Sequence, residues 1–245
     1  MRLASTALSV ALALLAGAAS ATPPDVIIEA RFGEPTGRYA HGVLGDAIEW
    51  GSLHLTVDKC HGCEGTMIEQ ITIRLPESRV FEDIAPRIWQ IDADDTSKVV
   101  VVESDQTRGA RLSVYDETGF VTATPFIGTR NRWLAPIGVA DFDGDGWMEV
   151  GYIDRPHLAK TLRLWRYVDG ELTEIANLAG LSNHRIGEDF ISGGVRDCGT
   201  GPEMIVASGD WREVVAVRYE DGALIPEVVG PFTGPASFTD ALGCN

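Results

Sequence analysis

A β-hairpin written four times constrains this 245-residue chain more than any other feature. Aligned on their turns, the segments span 70–84, 110–125, 161–176 and 213–228. Apolar and polar residues alternate along both arms of each, the pattern of strands with one buried face. Asp169-Gly170 and Asp221-Gly222 suit two-residue turns, which require positive φ. Turn centres at Ser78, Gly119, Gly170 and Gly222 lie 41, 51 and 52 residues apart.

Ahead of each hairpin stands another apolar strand, at 52–57, 98–103, 148–153 and 203–208. An Asp/Gly turn precedes it, and before that a further short strand such as 137–142. About four strands per unit, repeating at ~40–55 residues, is the signature of a β-propeller. One such sheet cannot bury both of its faces alone, so neighbouring units must stack. The expected fold is therefore all-β, a small single-domain propeller of four four-stranded blades over residues 22–245. Segment 26–32 resembles the outer arm 120–126, so one terminal strand is surplus. It either closes the ring or begins a fifth blade. An open β-solenoid or a sandwich is the competing architecture.

Residues 1–21 read as a secretory signal peptide, with Arg2 at its start, an apolar stretch from Ala4 to Ala19, and Ala19-Ser20-Ala21 as cleavage site. No later apolar run reaches ~18 residues, so no membrane span is expected. Removing the leader leaves 224 residues with 19 basic and 36 acidic side chains, a net charge of −17. Such a surface repels phosphate backbones, which argues against nucleic acid and anionic membranes as partners. The expected location is the periplasm or exterior of a bacterial cell, and the expected state a monomer. Four cysteines in an exported chain point to two disulfides. Cys60 with Cys63 and Cys198 with Cys244 are the expected pairs, other connectivities remaining open. The second closes a loop of 46 positions, worth ~4 kcal/mol in the chain-entropy picture.

Chemistry is most legible at Asp141-Phe142-Asp143-Gly144-Asp145-Gly146-Trp147-Met148-Glu149. Carboxylates at alternating positions repel one another unless a cation sits among them, and hard oxygen donors suit calcium. An EF-hand is excluded because its twelfth position is Tyr152 rather than a glutamate. With a strand on either side, residues 139–153 resemble the loop of the FG-GAP/VCBS (integrin-α-like) propeller repeats. That resemblance implies a calcium site with Asp141, Asp143, Asp145 and Glu149 as ligands and Trp147 offering its backbone carbonyl. The chain departs from the family in lacking its Phe-Gly-Gly-Ala-Pro element, and the corresponding loops of the other units are degraded. A weaker second site is expected at Asp92 and Asp94, whereas residues 195–198 place an arginine and a cysteine where ligands would stand.

An arginine precedes the first strand of every unit: Arg38, Arg87, Arg132 and Arg185. If equivalent loops gather on one propeller face, these form a ring able to grip carboxylate or sulfate bidentately, with Arg130, Asn131, Asn183 and His184 on the rim. The alternative is that each pairs with a neighbouring carboxylate. Cys60-His61-Gly62-Cys63 lacks the helix a redox dithiol opens, so it reads as a structural disulfide. No nucleophile elbow, zinc-protease helix or phosphate loop occurs, and the histidines share no spacing. The expected function is an exported, calcium-stabilised binding or scaffold module for a protein or an anionic or glycan ligand. A secreted enzyme acting on polysaccharide or another extracellular polymer is the competing class.

Overall fold

The computed structural model describes residues 25–60, 65, 67–91 and 96–244. The leader segment 1–21, Cys63, Asp92 and Asp94 lie outside them. The described chain is all-β with a single short helix, and its strands form three antiparallel sheets.

The first unit comprises β1 (Val26–Thr36), β2 (Glu49–Asp58), β3 (Ile68–Arg74) and β4 (Arg79–Phe81). The second holds β5 (Arg87–Gln90), β6 (Ser97–Asp105), β7 (Gly109–Asp116) and β8 (Gly119–Ala123). The third runs β9 (Leu134–Ala140), β10 (Met148–Asp154), β11 (Thr161–Val168) and β12 (Glu171–Ala179). The fourth adds β13 (Leu181–Ser182) to β14 (Gly194–Asp197), β15 (Pro202–Ser208), β16 (Glu213–Glu220) and β17 (Ala223–Pro231), after which comes α1 (Ala236–Leu242). Units two and three are antiparallel meanders in which each strand pairs with the next, as do β14 to β17 of the fourth, where β13 pairs with β15 instead.

The second, third and fourth expected hairpins are the pairs β7–β8, β11–β12 and β16–β17. Asp169 (φ 50°) with Gly170 (φ 81°), and Asp221 (φ 50°) with Gly222 (φ 80°), take the left-handed conformation at both central positions, the two-residue turn that matches strand twist.

The first expected hairpin does not form. β3 and β4 both pair antiparallel to the same edge of β2, so they run in one direction. Leu75 N–H bonds to Gly51 O, and Arg79 N–H closes a turn on Pro76 O. Pro76-Glu77-Ser78 thus loops out without reversing the chain. β4 then pairs with β6, which fuses the first two units into one eight-stranded sheet.

Near-continuous apolar strands such as β6 and β15 are buried on both faces, as stacked sheets require. Val99 and Val101 face the first unit with Leu53, Leu55 and Phe81. Their alternates Val100 and Val102 face the third unit with Leu134, Val150, Tyr152 and Trp165. Leu162 and Leu164 meet Met204, Val206 and Val217 of the fourth.

The two ends of this stack are finished differently. On the first sheet the outer face is polar, with Thr56 hydrogen-bonded to Glu29 and Gln70, and Thr72 to His54. On the fourth sheet α1 covers Ile205, Ala207, Val214 and Ala216 with Phe238 and Ala241. β1 neither closes a ring nor founds a fifth blade; it pairs with β2 from Val26 to Thr36. The first and fourth units meet through loops, where Gly187 N–H donates to Val43 O at 3.0 Å.

Candidate functional site

The acidic loop links β9 to β10. Asp141 sits at its base and accepts the amides of Gly144 (2.8 Å), Asp145 (3.1 Å) and Gly146 (2.9 Å), so one carboxylate organises the whole turn. Gly144 and Gly146 have positive φ (75° and 92°), which these close amide contacts require. Glu149, the second residue of β10, is fully buried and accepts Phe142 N–H at 2.9 Å. Carboxylate oxygens of Asp141, Asp143 and Glu149 all lie within 4.8 Å of one another, a group that could hold a metal ion. Asp145 stands outside that triad; its Oδ1 accepts the amide of Trp147, whose side chain is exposed.

Sequence reasoning missed Arg166. From β11, directly opposite Glu149 in the β10–β11 register, its guanidinium reaches Glu149 (2.6 Å), Asp143 (2.6 Å) and Asp145 (2.8 Å). Burial raises the Glu149 carboxyl above its usual range, against the pull of Phe142 N–H and Arg166. Three carboxylates share this one guanidinium, and Asp141 adds a fourth to the loop without touching it. The loop therefore keeps a negative surplus, and its donors are all oxygen, so the residues fit a hard divalent cation competing with Arg166 for Asp143 and Asp145. The cross-strand spacing of Glu149 and Arg166 was the available signal, readable only once the strands were paired.

The guanidinium groups of Arg38, Arg87 and Arg185 are held by separate partners. Arg38 donates to Arg79 O at 3.1 and 2.6 Å and lies 3.5 Å from Glu77. Arg87 pairs with buried Asp83 at 2.6 Å. Arg185 pairs with Glu188 and lies over Trp211 and Phe232, against the sheet face that α1 covers. Arg132 is half-buried, its carbonyl accepting Ala110 N–H at 2.7 Å. Arg87 alone of the four lines the depression of about 310 Å³ into which segments 84–87, 136–137 and 190–193 of three units converge.

A second cluster unites histidines that no sequence spacing connected. His41, Asn131, Trp133, Arg155, His157, Leu158 and Ile186 enclose a cavity of about 200 Å³. Behind it, fully buried Glu82 joins His41 Nδ1 at 2.5 Å and accepts the Ser104 hydroxyl, while its carbonyl accepts Trp133 Nε1–H at 2.9 Å. Burial raises the Glu82 carboxyl, with His41 opposing. Burial, then Glu82, pushes nearby Glu49 up to about 9 and Tyr39 up to about 12. His157 Nε2 meets His184 Nδ1 at 3.1 Å, and His184 Nε2 meets Glu188 O at 2.9 Å. Burial holds both imidazoles below their usual range, His157 at about 4.

The Cys198–Cys244 disulfide forms as expected, with Cα atoms 5.8 Å apart. Cys60 is also disulfide-bonded; its expected partner Cys63 lies outside the described residues. No helix among the described residues is long and apolar enough to cross a membrane. No protein-family model matches the chain, and no curated protein matches it in sequence.

Proposed function

We propose that the chain is an exported binding module of the FG-GAP/VCBS type, stabilised by calcium at the Asp141–Glu149 loop and engaging anionic or glycan ligands where several of its units converge. The observation that carries the reading is the convergence of residues from three units on one depression with Arg87 at its wall. A surface assembled from several repeats is how stacked-repeat proteins present ligand sites. Calcium is the preferred ion because Asp141, Asp143 and Glu149 offer only carboxylate oxygens.

Clustered carboxylates with raised proton affinity, Glu49 and Glu82, are what a polysaccharide-cleaving enzyme would use. Both are closed off from solvent here, at 3 % and 0 % exposure, which favours binding over that chemistry. The test is an array of neutral and acidic oligosaccharides read with the wild-type chain and Arg87→Ala. The reading expects acidic oligosaccharides retained by the wild type and weakened in the variant. Binding that ignores Arg87 would remove this face, and no glycan binding at all would remove the reading.

A further inference from the structure

The cavity walled by His41 and His157 is built in a way that fixes where protons sit. Glu188 O can only accept, so His184 Nε2 carries the hydrogen of their 2.9 Å contact. With His184 neutral, its Nδ1 is a bare lone pair, and the hydrogen of the 3.1 Å contact belongs to His157 Nε2. A neutral His157, one of the residues lining the cavity, is then left with a bare Nδ1 as its hydrogen-bond acceptor. The turn bearing it is held from several sides. Leu158 N–H and Lys160 N–H bond to Arg155 O at 2.8 and 3.1 Å, and the Ser182 hydroxyl donates to Pro156 O at 3.0 Å. His41, also on the lining, is fixed through Nδ1 by buried Glu82, and its Nε2 meets no hydrogen-bond partner among the described residues.

The charged residue of the remaining walls is already paired. Arg155 gives Nε and a terminal nitrogen to Asp154 at 2.7 and 3.0 Å, and Glu82 stands behind His41 rather than in the cavity. Trp133, Leu158 and Ile186 supply apolar surface, the last two strongly exposed at the lip. Apolar walls with a few convergent polar groups are the usual composition of a small-ligand site. A volume of about 200 Å³ admits one sugar-sized ring.

We propose that this cleft binds a neutral, hydroxyl-bearing ligand of monosaccharide size, whose hydroxyl donates to His157 Nδ1 while His41 contacts it as well. The proposal deepens the glycan-binding reading and rests on it. It places a neutral-ring subsite apart from the Arg87 depression.

Imidazole nitrogen NMR on the full chain tests it directly. In the free protein His157 should appear with a protonated Nε2 and an unprotonated Nδ1. Methyl α-D-glucopyranoside or methyl α-D-galactopyranoside should move the Nδ1 signal saturably, whereas 1,4-dioxane, a ring of similar size with no hydroxyl, should not. His157→Phe should weaken sugar binding ~10-fold, the loss of about one hydrogen bond. Should that variant fail to fold, the wild-type titration still decides. An Nδ1-protonated His157, a response to dioxane equal to that for sugar, or no saturable shift up to about 100 mM would each overturn the cleft, since a ligand of Kd ~10 mM would by then be bound. Acidic glycans held at Arg87 with a silent His157 would sink the cleft alone, and no carbohydrate bound anywhere would sink both proposals.

Discussion

Two equivalent turns, Asp141–Glu149 in the third unit and Asp197–Glu203 in the fourth, solve one problem in different ways. Each opens on an aspartate that collects glycine amides: Asp141 from Gly144 and Gly146, Asp197 from Gly199 at 2.7 Å and Gly201 at 3.2 Å. Each ends on a buried glutamate paired with an arginine, Glu149 with Arg166 and Glu203 with Arg196 at 3.1 Å. Between these fixed ends the contents differ. The third unit inserts Asp143 and Asp145, and the fourth inserts Cys198 bonded to Cys244. The frame shared by the two turns is the Asp/Gly turn and the Glu–Arg pair, and the variable middle supplies either ionic or covalent reinforcement.

The largest effect should come from the shared frame. Arg166→Met strands fully buried Glu149 and should cost ~3–5 kcal/mol in urea unfolding, as loss of one partner of a buried pair does. The double variant with Glu149→Gln should recover a good part of it; a single variant as stable as wild type would mean the guanidinium is dispensable. Next, Cys198→Ser with Cys244→Ser should lower stability by ~2–4 kcal/mol while leaving the third unit's response to metal intact. Calcium at 100 times its Kd should then add ~2.7 kcal/mol to the wild type and little to Asp143→Asn. A melting temperature indifferent to both calcium and chelator would remove the metal.

The smallest effect is a background that must be separated from the loops. His157 titrates at about 4 in the folded chain, below the ordinary 6.5 of an unfolded histidine. The unfolded state therefore binds the proton first as pH falls. The stabilisation is complete above pH 6.5 and is lost as pH drops toward 4. The loss should be on the order of 1 kcal/mol for this partly exposed ring and should be reduced in His157→Phe. Metal titrations run above pH 7 avoid it.

Much of the architecture was legible because it is written in local chemistry. Asp169-Gly170 and Asp221-Gly222 announce turns that need positive φ at both positions, and period-two alternation marks the arms. Pro76-Glu77-Ser78 misled because it has turn composition without reversing the chain. The helix at Ala236–Leu242 left little trace; it is short, begins at Pro235 and has no side-chain cap. The acidic loop announced its carboxylates, but not the cation already among them. Arg166 lies 17 residues beyond Glu149, and His41 lies 41 residues before Glu82, so neither pairing has a local pattern to betray it.

The C-terminal helix carries a consequence for the life of the chain before it is oxidised. Seven residues of α1 shield an apolar sheet face, and two tethers hold them there: the Cys244 sulfur and Arg196, which donates to Ala241 O at 2.5 Å. With Cys198 and Cys244 still thiols, one of the two tethers is missing, and the helix is held by Arg196 and by the packing of Phe238 and Ala241 alone. Reduction should therefore loosen α1 ahead of the strands it covers, which amide exchange measured with and without reductant would show as faster exchange confined to residues 236–242.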